Sequence, residues 1–186
     1  MKALLIIDMQ NGSFTPSTPR YDAEGVIQKI NALSAQFRRN GDKVIYIQHN
    51  GTKEHSFIPG THNWQLLSSL VVKPNDVILS KTANDAFYRT ELADMLKSHN
   101  ITELFVTGCA TDFCVNATIL CALMHEYRIV VFKDCHTTAD RPHLPAEKVI
   151  EHHNWIWENM TPINNAIKVV SSLDWLAADS LNVHHS

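Results

Sequence analysis

The chain alternates short, nearly uninterrupted apolar runs with stretches whose apolar residues recur every three or four positions. Ala3–Asp8, Lys43–Gln48, Asp76–Ser80, Glu103–Thr107, Arg128–Lys133 and Ala166–Val170 read as six strands. Ala23–Asn40 reads as a helix, with Val26, Ile27, Ile30, Leu33 and Phe37 at helical spacing and Gly41 ending it. Further helices are expected over Thr90–His99, Asp112–Glu126 and Pro145–Asn159, with a short last one over Ser172–Ala178.

Strands alternating with helices imply right-handed crossovers and a parallel sheet covered on both faces, an α/β architecture. The unbroken apolar character of the strands agrees with burial on two sides. Two segments break the alternation: Gly12–Asp22 and the long Asn50–Leu70. Long loops in compact domains are often functional.

Length adds one expectation: 186 residues make a single domain, 1–186, large enough for a full core. A formal net charge of -3 offers no broad basic field, so nucleic acid is not an expected partner. The apolar run at Ala3–Ile7 stops at Asp8, short of the roughly 7–15 residues of a secretory core. No stretch approaches the ~20 apolar residues of a membrane span. A cytoplasmic protein without a membrane partner is the expectation. The four cysteines, Cys109, Cys114, Cys121 and Cys135, form no CxxC pair and are expected to be reduced thiols.

Candidate chemistry follows from what each strand delivers at its carboxyl end, where open parallel sheets bind ligands. The ends carry Asp8, His49, Lys81, the run Gly108–Cys114, and Asp134. Cys114 falls in the first turn of an expected helix, with Thr111 or Asp112 as N-cap. Unpaired N–H groups and the helix dipole favour a thiolate there, and the same N–H groups suit an oxyanion. Asp8 ends a fully apolar strand, so desolvation raises its pKa and suits it to act as a base, with Lys81 as the balancing cation. Each has a plain reading too: Cys114 as a packed thiol, Asp8 as a loop cap, Lys81 as a solvated strand end. Cys121, Cys109 and Cys135 are expected to be packing residues, and Asp134 and Thr138 to structure loops.

Four segments carry a resemblance: ALLIIDMQNGSF at Ala3–Phe14, SKTANDAFYRTEL at Ser80–Leu92, VTGCATDFCVNATILCAL at Val106–Leu123 and VFKDCHTT at Val131–Thr138. In this order, over roughly Lys2 to Leu176, the sequence resembles the isochorismatase-like cysteine hydrolases, which include nicotinamidases and carbamoylsarcosine amidases. The resemblance implies a three-layer sandwich around a six-stranded parallel sheet in the order 3-2-1-4-5-6. It implies Asp8, Lys81 and Cys114 as a catalytic triad. It also implies a cis peptide between Cys109 and Ala110 that sets the Ala110 and Cys114 N–H groups as an oxyanion hole. Retention of Cys114 points to C–N hydrolysis of an amide, lactam or carbamoyl group through a thioester.

Nicotinamidases hold a metal with an aspartate and histidines after strand two. The corresponding stretch here is QHNGTKEHSF, with His49 in place of the aspartate and Gly51 in place of a histidine. No metal or other cofactor is therefore expected, although His49, His55 and His62 remain open as metal or substrate ligands. Asn11, Phe14, His49, Trp64, Phe87, Tyr88 and Phe113 are the candidate substrate contacts. By resemblance, the partners are a small-molecule substrate and further copies of the chain, as a homo-oligomer. Two other classes stay in view. A dinucleotide-dependent oxidoreductase needs GxGxxG after strand one, where this chain has DMQNGSF. A non-catalytic binding module has no use for three reactive groups on one sheet edge.

Overall fold

The structure, a computed structural model, describes residues 1–51, 57–161 and 167–182. Six strands form its sheet: β1 (Lys2–Ile7), β2 (Lys43–His49), β3 (Val77–Lys81), β4 (Glu103–Cys109), β5 (Arg128–Thr137) and β6 (Ile167–Val170). All neighbours are parallel, in the order β3-β2-β1-β4-β5-β6. Five helices cover the faces: α1 (Ala23–Arg39), α2 (Leu92–Ser98), α3 (Asn116–Met124), α4 (Ala146–Asn159) and α5 (Ser172–Asn182). The expected three-layer α/β sandwich and its strand order are observed. Among the described residues no helix is long and apolar enough to cross a membrane.

The two faces of β1 explain its unbroken apolar sequence. Leu5 and Ile7 pack with Ile45 and Val106 beneath Leu96 of α2, Ile119 of α3 and Trp157 of α4. Leu4 and Ile6 point the other way, into a cluster with Ile30, Leu33 and Phe37 of α1 and Trp175 of α5. Phe37 stacks on Trp175 with ring centroids 5.1 Å apart. Alternate residues of one strand thus feed two cores, and a polar residue on either face would be buried without a partner. Strand order reverses around β1, whose neighbours are β2 and β4. This leaves a crevice at the carboxyl ends of β1 and β4.

The expected Asp112–Glu126 helix differs at its start. Thr111–Val115 is a π-helical turn, with the Val115 N–H donating to the Ala110 carbonyl at 3.2 Å, and α3 begins only at Asn116. π-Helical turns concentrate at functional sites. Neither Thr111 nor Asp112 caps this turn. Both side chains are committed elsewhere: Thr111 Oγ1 pairs with His136 Nδ1 at 2.9 Å, and Asp112 binds Thr138 and Arg141. At the other boundaries, β5 runs on to Thr137 and α5 to Asn182. A register shift between Val106 and Gly108 carries this extension, pairing Gly108 with His136 and Cys109 with Thr137.

Gly108 sets how closely β1 and β4 approach. Its φ is +122°, and an added Cβ would overlap the Ile7 carbonyl oxygen and lie 2.5 Å from the Ile7 nitrogen. His136 braces the same region. It is fully enclosed, and its Nε2 pairs with Asn154 Oδ1 of α4 at 2.9 Å, while Asn154 donates to the Lys133 carbonyl at 3.1 Å. Burial pushes its pKa down to about 4, against the Asn154 hydrogen bond.

Two outcomes follow. Gly108→Ala should lower unfolding stability by at least about 3 kcal/mol in urea, because both the clash and the φ are unfavourable. A loss under about 1 kcal/mol would show that β1 and β4 can part cheaply. For His136 the unfolded imidazole, with a pKa of about 6.5, binds a proton more readily than the folded one. Its contribution is therefore complete above about pH 6.5 and lost as the pH falls towards 4, on the order of 3 kcal/mol. His136→Gln should flatten the stability profile in that window. An unchanged slope would assign the acid sensitivity to other groups.

Candidate active site

Asp8 sits one residue beyond β1. Its φ of +48° turns the chain sharply, and its N–H donates to the Ile47 carbonyl of β2 at 2.9 Å. Left-handed backbone at a non-glycine residue is uncommon, though aspartate tolerates it better than most. The turn holds the carboxylate over the crevice, almost fully enclosed. Lys81 ends β3 and is 1% exposed, so the solvated strand end is not what the fold makes of it.

An ammonium has three protons and no acceptor. Lys81 Nζ directs its protons to Asp8 Oδ2 at 2.8 Å, the Ala83 carbonyl at 2.8 Å and Cys114 Sγ at 3.3 Å. The fold therefore brings Asp8, Lys81 and Cys114 from three separate segments around one nitrogen. Cys114 Sγ also lies 3.6 Å from Asn84 Oδ1. Asp8 Oδ1 is buried and has no hydrogen-bond partner among the described residues. A carboxylate oxygen left unpartnered in the interior is costly and points to use.

Burial raises the Asp8 pKa, outweighing the opposing charge of Lys81 and the neighbouring thiol. Burial, followed by the Asp8 charge, pushes the Cys114 thiol up to about 12, while Lys81 pulls it down. This departs from the expectation of a thiolate favoured at a helix start. Enclosure and an adjacent carboxylate outweigh the field of a single turn. Burial thus works against the charged form of both groups, and the Cys114 thiol keeps its proton at rest. The Cys109–Ala110 peptide is cis.

Asp8, Ala110 and Cys114 open onto a cavity of about 300 Å³ with Phe113 and His49 in its wall. That is the low end for ligand cavities, sized for a small molecule. His49 is held below the ordinary imidazole pKa, first by burial and then by the Lys81 charge, both of which disfavour its charged form. Its Nδ1 is 3.5 Å from Lys81 Nζ.

The other candidate contacts are placed differently. Asn11 donates from Nδ2 to the His62 carbonyl at 3.0 Å, and Trp64 donates from Nε1 to Asn50 Oδ1 at 2.7 Å, so both brace loops. Phe14 packs against the α1-side core. Phe87 is a core residue, 7% exposed and stacked 4.8 Å from His125. Tyr88 lies on the surface beneath the Arg89 guanidinium. None of the five lines the cavity. Aromatic character does not distinguish a pocket wall from a core, which is why proximity to Lys81 in sequence misled for Phe87 and Tyr88.

Of the open metal ligands, His62 is exposed and His55 lies outside the described residues. Among the described residues no three His, Cys, Asp or Glu side chains gather as a metal site. Asp134 holds the start of α5 through the Ser172 N–H at 2.9 Å and Ser172 Oγ at 2.7 Å. Thr138 donates to Asp112 Oδ1 at 2.7 Å.

Sequence reasoning passed over several wall residues, among them Arg20, Phe57, Asn84 and Arg141. Asn84 follows Lys81 closely enough to have been sought. Arg20 lies in a loop already singled out, but nothing in its neighbours marks its direction. Arg141 forms a two-pronged pair with Asp112, Nε to Oδ2 at 2.7 Å and Nη2 to Oδ1 at 2.8 Å, and its guanidinium lies 5.0 Å from the Phe113 ring centre. Burial works to raise the Asp112 pKa, but hydrogen bonds from Arg141 and Thr138 win and hold it low.

The residues after β1 and those after β2 are joined at Gly12, in the cavity wall. Asn11 and Gly12 donate backbone N–H bonds of 2.9 Å to the carbonyls of Gln65 and Asn63. Gln10 Nε2 donates to the carbonyls of His49 and Trp64 at 3.0 and 2.7 Å.

Comparison with known proteins agrees with this architecture. The chain is 32% identical over 145 residues to a streptothricin hydrolase of Streptomyces noursei, covering 78% of this chain and 58% of that one. It thus spans little more than half the length of that relative. A maleamate amidohydrolase of Pseudomonas putida is 27% identical over 151 residues, 72% of this chain and 70% of the relative. The crystal structure of an isochorismatase family protein superposes with a TM-score of 0.84 at 32% identity, covering 91% of this chain and 98% of that one. The isochorismatase domain itself is matched over residues 2–171, which takes in every strand and the whole cavity wall, and the chain belongs to the isochorismatase family.

Proposed function

We propose that this chain is a cysteine hydrolase that cleaves a C–N bond of a small amide, lactam or carbamoyl compound through a thioester. One observation carries the reading: a single buried ammonium, Lys81, touches both Asp8 Oδ2 and Cys114 Sγ at the floor of a small cavity. The names of the streptothricin hydrolase and the maleamate amidohydrolase support a hydrolytic reaction, and the latter an amide bond.

The geometry supplies each step with a group. A carbonyl carbon enters above Cys114, and Asp8 accepts the thiol proton as sulfur attacks. Lys81, losing its carboxylate partner to protonation, remains beside the developing thiolate at 3.3 Å. The Ala110 and Cys114 N–H groups hold the oxyanion. Asp8 then returns the proton to the departing nitrogen, and ammonia or an amine leaves. Water attacks the thioester with Asp8 again taking its proton, and the acid product leaves as Cys114 recovers its hydrogen. The raised pKa values fit this traffic. The proton rests on sulfur between turnovers, and the burial that raises the Asp8 pKa makes its carboxylate a stronger base towards that proton.

Cys114→Ala should abolish ammonia release, by about 10³-fold or more, with the fold retained by circular dichroism. Near-normal rates on a verified substrate would sink the mechanism. Asp8→Asn should cost nearly as much turnover, yet it should make the thiol easier to alkylate. Removing the carboxylate charge takes away a cause that raises the Cys114 pKa and leaves Lys81 uncancelled. Iodoacetamide labelling of Cys114 should therefore begin at lower pH in Asp8→Asn than in the wild type. Labelling that moves to higher pH would show that Asp8 activates the thiol rather than restrains it. The substrate screen is ammonia release over amides, lactams, ureido compounds and cyclic imides, with and without chelator.

A further inference from the structure

Among the described residues, the charged groups around the cavity are paired with one exception. Lys81 is paired with Asp8, and Arg141 is held by both oxygens of Asp112. His49 is held towards its neutral form by burial. Arg20 also lines the cavity, half-buried, and forms no ion pair among the described residues. Its Nε donates to the Ser13 carbonyl at 2.5 Å. The nearest acid along its own loop, Asp22, pairs with Lys29 at 3.2 Å.

A half-buried guanidinium without a counter-charge is poorly satisfied. With Nε committed to the backbone, the two terminal nitrogens remain as a fork whose spacing matches the two oxygens of a carboxylate. The Ser13 bond also fixes the plane of the fork, so little side-chain freedom is lost on binding. The cavity therefore carries one unspent positive charge in the same small space as Cys114.

We propose that Arg20 is a specificity-determining residue and that the substrate is a small amide bearing a carboxylate, whose carboxylate Arg20 grips while its carbonyl faces Cys114. This rests on the hydrolase reading above. A cavity of about 300 Å³ limits the spacer between the two groups to a few atoms. Monoamides of short dicarboxylic acids and N-carbamoyl amino acids share this chemistry.

The test compares ammonia release from succinamate, its methyl ester and 3-aminopropanamide, which are anionic, neutral and cationic amides of similar size. N-carbamoylglycine is included to separate the two sources of carboxylate. The wild type should prefer the anionic amides over the neutral ester by about 10- to 100-fold in kcat/KM, the range expected for one charged hydrogen-bonded contact. Arg20→Gln should collapse that ratio towards one, and Arg20→Lys should keep part of it. A wild type that takes the ester or the cation as readily, or an Arg20→Gln whose ratio is unchanged, would overturn the proposal.

Calorimetric binding of succinate to the wild type and to Arg20→Gln separates this idea from the reaction itself. Binding that is lost in the variant supports the anion site even if no amide is hydrolysed. Equal affinity in both proteins, or no binding to the wild type, counts against it.

Discussion

The Lys81–Asp8 ion pair is the contact on which the site depends. It joins the end of β3 to the residue after β1 and crosses β2 to do so, at 2.8 Å and almost without solvent. Such a pair is a poor source of stability, since desolvating two charges consumes most of their attraction. Breaking it would leave a charge stranded in the interior, at about 3–5 kcal/mol. The value of the pair is positional. It fixes the ammonium where it can meet a sulfur from the turn before α3, and it leaves the second carboxylate oxygen of Asp8 without a hydrogen-bond partner among the described residues.

The surrounding fold keeps that geometry from relaxing. Gly108 lets β4 come against the Ile7 backbone, bringing the Cys109–Cys114 turn beside Asp8. His136 takes up Thr111, and Thr138 and Arg141 take up Asp112, which ties the turn to α4 and to the Thr138–Arg141 segment. The result is a thiol held in its protonated form by burial and a neighbouring carboxylate, not one ionised in advance.

Much of this was legible in the chain and some was not, for separable reasons. Doubly buried strands have a strong signature, and the Ala3–Ile7 and Arg128–Lys133 runs carried the sheet. Asp8, Lys81 and Cys114 were visible because strand ends in a parallel sheet converge, which makes position a guide to proximity. The wall was not legible. Phe87 and Phe113 are the same residue type, each in a segment that also carries Lys81 or Cys114, yet one is core and the other pocket. Only the packing of α2 and α3 decides between them. The start of α3 was misread because Thr111 and Asp112 suit an N-cap locally, and tertiary partners more than 20 residues away won them instead.

The hydrogen bonds between the residues following β1 and those following β2 have a wider implication. Asn11 and Gly12 are latched to Gln65 and Asn63, and Gln10 reaches both His49 and Trp64. Residues 10–12 and 63–65 are therefore one mechanical unit supplied by two stretches of chain. Anyone transplanting substrate preference between relatives would have to move both stretches together, because either alone would arrive without the backbone partners that shape it. By the same logic, neutral drift in one loop is constrained by the other, and new pockets on this sheet should arise through paired changes far apart in the sequence.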